Sequence, residues 1–96
     1  MNKHIDLQPA TIIVQAAGLI AADMDGEKAM MSVEKGKYYG LDATGSRIWD
    51  LLAQPVHVKA VIETLLEEYE VEESTCQGEV CIFLNKLHTE GLITIV

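Results

Sequence analysis

Basic residues are scarce in this 96-residue chain: seven Lys and Arg stand against fifteen Asp and Glu, a formal net charge of −8 at pH 7. That balance repels nucleic-acid phosphate and anionic lipid alike, because both are held by excess positive charge. A basic partner segment is the easier electrostatic match. Cysteine is nearly missing. Cys76 and Cys81 are too few for a disulfide scaffold, and on one helix they would stand about 140° apart around its axis, so both are expected as reduced thiols. Long apolar runs are missing too: nothing approaches the ~20 uninterrupted residues of a spanning helix, and the first nine residues lack the apolar core of a signal peptide. No membrane association and a cytoplasmic location are expected.

Recognisable chemistry is equally sparse. His4, His57 and His88 are scattered, and no Cys-x2-Cys or His-x3-His pair occurs, so neither a metal nor another cofactor is expected. A cysteine nucleophile would need a base within hydrogen-bond reach, yet His88 lies seven residues beyond Cys81, about 10 Å along a helix axis. Both thiols read better as small apolar side chains that help a helix pack. The acidic runs Glu67-Glu68 and Glu70 with Glu72-Glu73 have the character of solvated helix ends and loops. Gly36 and Gly40 flank Lys37 without the Gly-Lys-Ser/Thr ending of a phosphate loop, and Gly45-Ser46 lacks the lysine. The chain is therefore expected not to be an enzyme.

An apolar content of 49% supplies one core, which for this length means a single domain over residues 1–96. Thr11-Ile12-Ile13-Val14-Gln15 and Gly18-Leu19-Ile20-Ala21-Ala22 read as strands, followed after an Asp25-Gly26 hairpin turn by Lys28-Ala29-Met30-Met31-Ser32-Val33. A second turn at Glu34-Lys35-Gly36 leads into Lys37-Tyr38-Tyr39-Gly40-Leu41, whose glycine lets another backbone come close. The expected result is a three-stranded antiparallel meander.

The period then changes. Asp42 can cap a helix over 43–52, in which Ile48, Leu51 and Leu52 form the apolar stripe beside Trp49. Gly45 inside it weakens the helix by ~1 kcal/mol relative to alanine and so implies close packing. Gln54-Pro55 ends it. Val58, Val61, Ile62, Leu65, Leu66 and Tyr69 follow at i, i+3, i+4, i+7, i+8 and i+11, an amphipathic helix with Lys59, Glu63, Glu67 and Glu68 on its wet side. A third helix is expected over 74–90, opened by Ser74-Thr75-Cys76-Gln77 as a capping box and closed by Gly91 in a left-handed conformation. Leu92-Ile93-Thr94-Ile95-Val96 is a short terminal strand. This order is an α+β winged helix-turn-helix: a three-stranded antiparallel sheet, three helices and a short C-terminal strand.

Such an outline raises DNA binding first. The third helix offers one basic side chain, Lys86, against Glu79 and Glu90, which leaves almost nothing to contact phosphates or guanines. Recognition of a peptide is the better match. A three-stranded sheet has two edges, and the strand from Lys37 to Leu41 is one of them unless covered. An extended peptide could add there, with backbone hydrogen bonds for affinity and alternate side chains entering pockets between sheet and helix. Tyr38 and Tyr39 point to opposite faces, so only one of them can line such a groove.

The block Val33-Glu34-Lys35-Gly36-Lys37-Tyr38-Tyr39-Gly40-Leu41-Asp42-Ala43-Thr44-Gly45-Ser46-Arg47-Ile48-Trp49-Asp50-Leu51-Leu52 resembles the PqqD-like family, in which an aromatic strand runs into a Leu-Asn/Asp-x-Thr-Gly helix start and an Ile-Trp-x-Leu-Leu stripe. The likeness continues through Pro55, Tyr69-Glu70-Val71 and Phe83-Leu84 to Gly91-Leu92-Ile93. It implies a RiPP recognition element, a non-catalytic domain that binds the leader of a ribosomally made precursor and brings it to modifying enzymes. The leader would add antiparallel to the third strand of the sheet, at Lys37, Tyr38, Tyr39, Gly40 and Leu41. The groove wall on the third helix would come from Cys76, Glu79, Val80 and Phe83, with Glu79 facing a leader Lys or Arg at the rim. Trp49, Ile48, Leu51 and Leu52 are family signature residues whose helical spacing assigns them to the core.

Pyrroloquinoline-quinone members tend to carry Pro-Glu-Gly before the third strand and Cys-Asp-Gly after the first helix. Here Glu34-Lys35-Gly36 and Leu52-Ala53-Gln54-Pro55 stand instead, a pattern more like the free-standing recognition proteins of lasso-peptide pathways, whose leader peptidase is a separate chain. The other two readings are a pyrroloquinoline-quinone precursor chaperone serving a radical enzyme and an acidic winged-helix regulator acting by protein contact. A weak homodimer through the exposed edge is a further expectation of the fold.

Overall fold

Stretches of period two fold into short strands and stretches of period 3.6 into helices: β1 (Ile12–Gln15), β2 (Leu19–Met24), β3 (Glu27–Ser32), β4 (Lys37–Gly40), α1 (Ala43–Leu51), β5 (Val56–His57), α2 (Val58–Glu68), α3 (Glu73–Thr89) and β6 (Ile93–Ile95). The structure, a computed structural model, describes residues 7–96; His4 and most of the N-terminal stretch judged for a signal peptide lie outside the described residues.

The expected meander exists as β2-β3-β4, antiparallel throughout. Its first turn places Asp25 at φ 57° and Gly26 at φ 85°, the two left-handed positions that a two-residue hairpin turn requires. Thr11 to Gln15, however, does not belong to this sheet. β1 is the middle strand of a second antiparallel sheet, β5-β1-β6, pairing Ile13 with Val56 on one side and with Ile95 on the other. Gly18 at φ 83° turns the chain out of β1 and away from it. Only a residue without Cβ does this cheaply.

Asp42 caps α1 as expected, its Oδ1 accepting from the Gly45 N–H at 2.7 Å. Gly91, at φ 77°, ends α3 in a Schellman motif: its N–H donates to His88 O and the Leu92 N–H to Leu87 O. The Ser74 capping box does not form. α3 begins at Glu73 with Glu72 as N-cap and no side-chain cap. Ser74 Oγ instead donates to Glu72 Oε1 at 2.8 Å, and Gln77 Nε2 to Glu73 Oε2 at 3.3 Å, so neighbouring carboxylates claim both side chains the box would use.

Ile13, Met30, Ile48, Trp49, Leu52, Val58, Val61, Leu65, Val80, Leu84, Leu87, Leu92 and Ile93 make one core between the helices and the two sheets. The α1 stripe lies in it as its spacing implies, with Leu51 packed at the margin. Tyr69, the last member of the α2 stripe, falls on the C-cap and is 41% exposed.

Polar links tie the layers together. Gln15 Nε2 donates to Trp49 O at 2.8 Å. Lys28 Nζ lies 3.2 Å from Asp23 and 3.3 Å from Asp50, joining the meander to α1. Arg47 joins α1 to α2 through a two-nitrogen contact with Glu68, the shorter at 2.6 Å. Among the described residues no helix is long and apolar enough to cross a membrane.

Candidate peptide-binding cleft

β4 has a partner on one side only, β3, and is therefore an edge. The ladder pairs Ala29 with Gly40, Met30 with Tyr39, Met31 with Tyr38 and Ser32 with Lys37. Just past the strand the Leu41 N–H donates to Lys28 O at 2.8 Å, which fixes the hydrogen-bonding parity. In an antiparallel pair alternate residues point their N–H and C=O inward, so Lys37 and Tyr39 bond to β3 while Tyr38 and Gly40 present theirs to the open edge. A Cβ built on Gly40 would meet nothing within 4 Å. The sheet face at Gly40 is open.

Ser46 secures the end of this ladder. Its buried hydroxyl accepts from the Lys28 N–H at 2.8 Å and donates to Leu41 O at 3.3 Å, holding the strand exit against the first turn of α1. The opposite end is held by α3. Tyr39 packs against the core, and its hydroxyl donates to Glu90 Oε1 at 3.2 Å. Burial, then the adjoining Glu90 carboxylate, raise the phenol pKa above its ordinary value, so the tyrosine remains a donor. The choice between the two tyrosines is thereby made. Tyr39 faces α3, whereas Tyr38 is 77% exposed on the other face of the sheet.

Between β4 and α3 runs a cleft of about 780 Å³, lined among others by Tyr39, Gly40 and Leu41 from the strand side and by Cys76, Glu79, Val80 and Phe83 from the helix. Seven of the nine residues singled out from the sequence are therefore brought together. Lys37 and Tyr38 do not line the cleft; both are exposed, on the strand whose edge borders it. Cys76 and Val80 are almost wholly buried and contribute to the floor. Burial first, then Glu79 and Glu73, push the Cys76 thiol pKa up, which keeps it protonated and a poor nucleophile.

Phe83 is half-buried against α1 at Gly45. A Cβ there would stand 3.2 Å from the Phe83 ring and 3.1 Å from Asp42 Oδ1, so the glycine that costs α1 helix propensity is what lets the tip of the ring come this close.

The four α3 residues singled out from the sequence are not the whole wall. Lys86, Leu87 and Glu90 also line the cleft, and they continue the series 76, 79, 80, 83 by steps of three and four, so extending the spacing would have found them. Tyr69, Glu70 and Val71 close one end. They come from the α2–α3 connection, which has no periodicity to read.

Comparison with known proteins bears on the fold and the family. Residues 27–93 match the family described as coenzyme PQQ synthesis protein D (PqqD). A solved structure of TbiB1 in complex with the TbiA(beta) leader peptide is 30% identical, covering 83% of this chain and 93% of that one at a TM-score of 0.78. A lasso peptide synthetase B1 complexed with its leader peptide is 21% identical, with 85% and 96% covered and a TM-score of 0.76. The PqqD truncation of Methylobacterium extorquens PqqCD, described as a functional, stand-alone RiPP recognition element, shares the fold at 11% identity, with 98% and 99% covered and a TM-score of 0.77. A search of curated protein sequences finds no match. With the family match spanning most of the chain and the aromatic strand, the Gly45 helix start and the Trp49 stripe all inside it, this protein is a member of the PqqD family.

Proposed function

We propose that this protein is a RiPP recognition element that binds the leader of a lasso-type precursor peptide and presents it to a separate leader peptidase and maturation enzymes, without chemistry of its own. The observation that carries the reading is the unpaired backbone of Tyr38 and Gly40 beside a cleft with an apolar floor. A leader in extended conformation would bond to those groups as a further strand and place alternate side chains over Leu41, Val80 and Phe83. Backbone pairing with two or three apolar anchors suits an affinity of about −8 to −10 kcal/mol. Leader binding is supported by the 30% identity to TbiB1, solved with a leader peptide, and the lasso assignment by the 21% identity to a lasso peptide synthetase B1, against 11% for the PqqD truncation. The protein acts in the cytoplasm, where precursor peptides are made, and with no leader bound the same edge can pair weakly with a second copy.

The test is a titration of the synthetic leader of the precursor encoded beside this chain into isotope-labelled protein, following backbone amide shifts. Shifts centred on residues 37–41 and 76–87 are expected. Saturating peptide that moves neither segment would overturn the proposal, and shifts confined to the exposed face carrying Tyr38 would favour a regulator acting by protein contact.

A further inference from the structure

Charge is unevenly distributed along the cleft. Toward the start of α3, Glu70 and Glu79 are on the lining, and Arg47 nearby is already held by Glu68 at 2.6 Å. Where α3 finishes, the Glu90 carboxylate accepts from the Tyr39 hydroxyl and is outnumbered by ammonium groups. Lys86 is on the lining, Lys35 Nζ donates to Glu90 O at 2.6 Å, and Lys37 opens β4. Among the described residues, one end is therefore anionic and the other predominantly cationic.

β4 and α3 run past each other in opposite directions: Tyr39 meets Glu90 at the end of the helix, whereas Asp42 and Gly45, beyond the strand, lie by Phe83 in its middle. A segment added antiparallel to β4 consequently runs in the same sense as α3. Its upstream residues lie toward Glu70 and Glu79 and its downstream residues toward Lys35 and Lys37.

Resting on the leader-binding reading, we propose that the cleft selects a leader with a Lys or Arg upstream of its strand-pairing residues, facing Glu70 and Glu79, and that this charge sets the direction of strand addition. A leader entering in the reverse sense would carry its cation to Lys35, Lys37 and Lys86, and like-charge contact rejects that pose more effectively than apolar anchors, which fit either way, can favour the right one. Glu70 and Glu79 are exposed, so altering them does not disturb the core.

The experiment is a double-mutant cycle by calorimetry with the same synthetic leader. One arm is the E70Q/E79Q protein, the other a leader whose upstream basic residue is glutamine, both at low and high salt. Each change alone is expected to weaken binding about fivefold to tenfold at low salt, the two together no more than either alone, and the effect to shrink at high salt. A spin label at the leader's N-terminus should broaden amides near Glu79 rather than those of Lys35 to Lys37. Full affinity for the neutralised leader, additive losses, broadening at the lysine end, or a native leader without an upstream cation would overturn the proposal while leaving leader binding intact. Absence of binding by every combination would overturn leader binding itself.

Discussion

The two sheets of this domain are of equal strand number and opposite character. In β5-β1-β6 the middle strand is enclosed, Ile13 is wholly buried, and the Gln15 side chain is spent on the end of α1. In β2-β3-β4 the strands project from the core: every residue of β2 after Leu19 is exposed, and Ile20, Met24 and Tyr38 show large apolar surface. The first sheet closes the fold and has little left to offer a partner. The second is anchored by Met30, Tyr39, Leu19 and Ser32 on its inner face, plus the Ser46 and Lys28 links, and it keeps an edge free. Stability and recognition are thus carried by different sheets, so the two can be damaged separately.

Ile13→Ala gives the largest expected effect on the first sheet, a loss of about 2–5 kcal/mol seen as a lower denaturant midpoint, with leader affinity of the folded fraction unchanged. Tyr38→Pro gives the reverse outcome. It removes an edge-facing N–H from a residue whose side chain is in solvent, so affinity should fall by about two orders of magnitude while the melting temperature holds. Tyr39→Pro is the informative contrast, since its N–H bonds to β3; it should unfold the meander as well. Phe83→Ala straddles the two roles, and its half-buried ring should cost about 2 kcal/mol, divided between stability and binding. Asp42→Ala, which removes the α1 cap, should cost about 1 kcal/mol in stability.

The smallest effect expected is on pH dependence. Hydrogen bonding to Arg47 holds the Glu68 carboxyl pKa below its ordinary value. Its contribution is therefore present above the carboxylate's unfolded pKa and is lost as pH falls through the lowered folded value. An E68Q variant should show a slightly flatter acid limb in a denaturation series, and identical limbs would remove this pair from the account.

Much of this arrangement was legible beforehand because helices write their faces into the chain. Val58, Val61, Ile62 and Leu65 are buried together because they share one side of α2, and 76, 79, 80 and 83 share the cleft for the same reason. Asp25-Gly26, Asp42 and Gly91 announced their turns and caps through backbone demands few other residues meet. Strand partnership was a different matter. Period-two alternation states which face a residue takes but not which strand lies alongside, so nothing in Thr11 to Gln15 distinguished pairing with β2 from pairing with β5 and β6. The parity of β4 was hidden for the same reason, and with it the fact that Tyr38 rather than Tyr39 turns its backbone to the edge. Local carboxylates overruled the Ser74 cap, a competition that spacing alone does not reveal.

The pairing of β1 with β6 also has a consequence for how the chain reaches this state. Every turn of the meander joins neighbouring segments, and such local closures are fast. Ile13 by contrast must wait for Ile95, a closure that spans nearly the whole chain and is slow for that reason. On a ribosome, the wing with its open edge should zip first and the sheet that locks it should arrive only after β6 has emerged. During that interval the edge is exposed on an unlocked chain, and an early encounter with another extended segment, including a leader, would act on folding as well as on delivery.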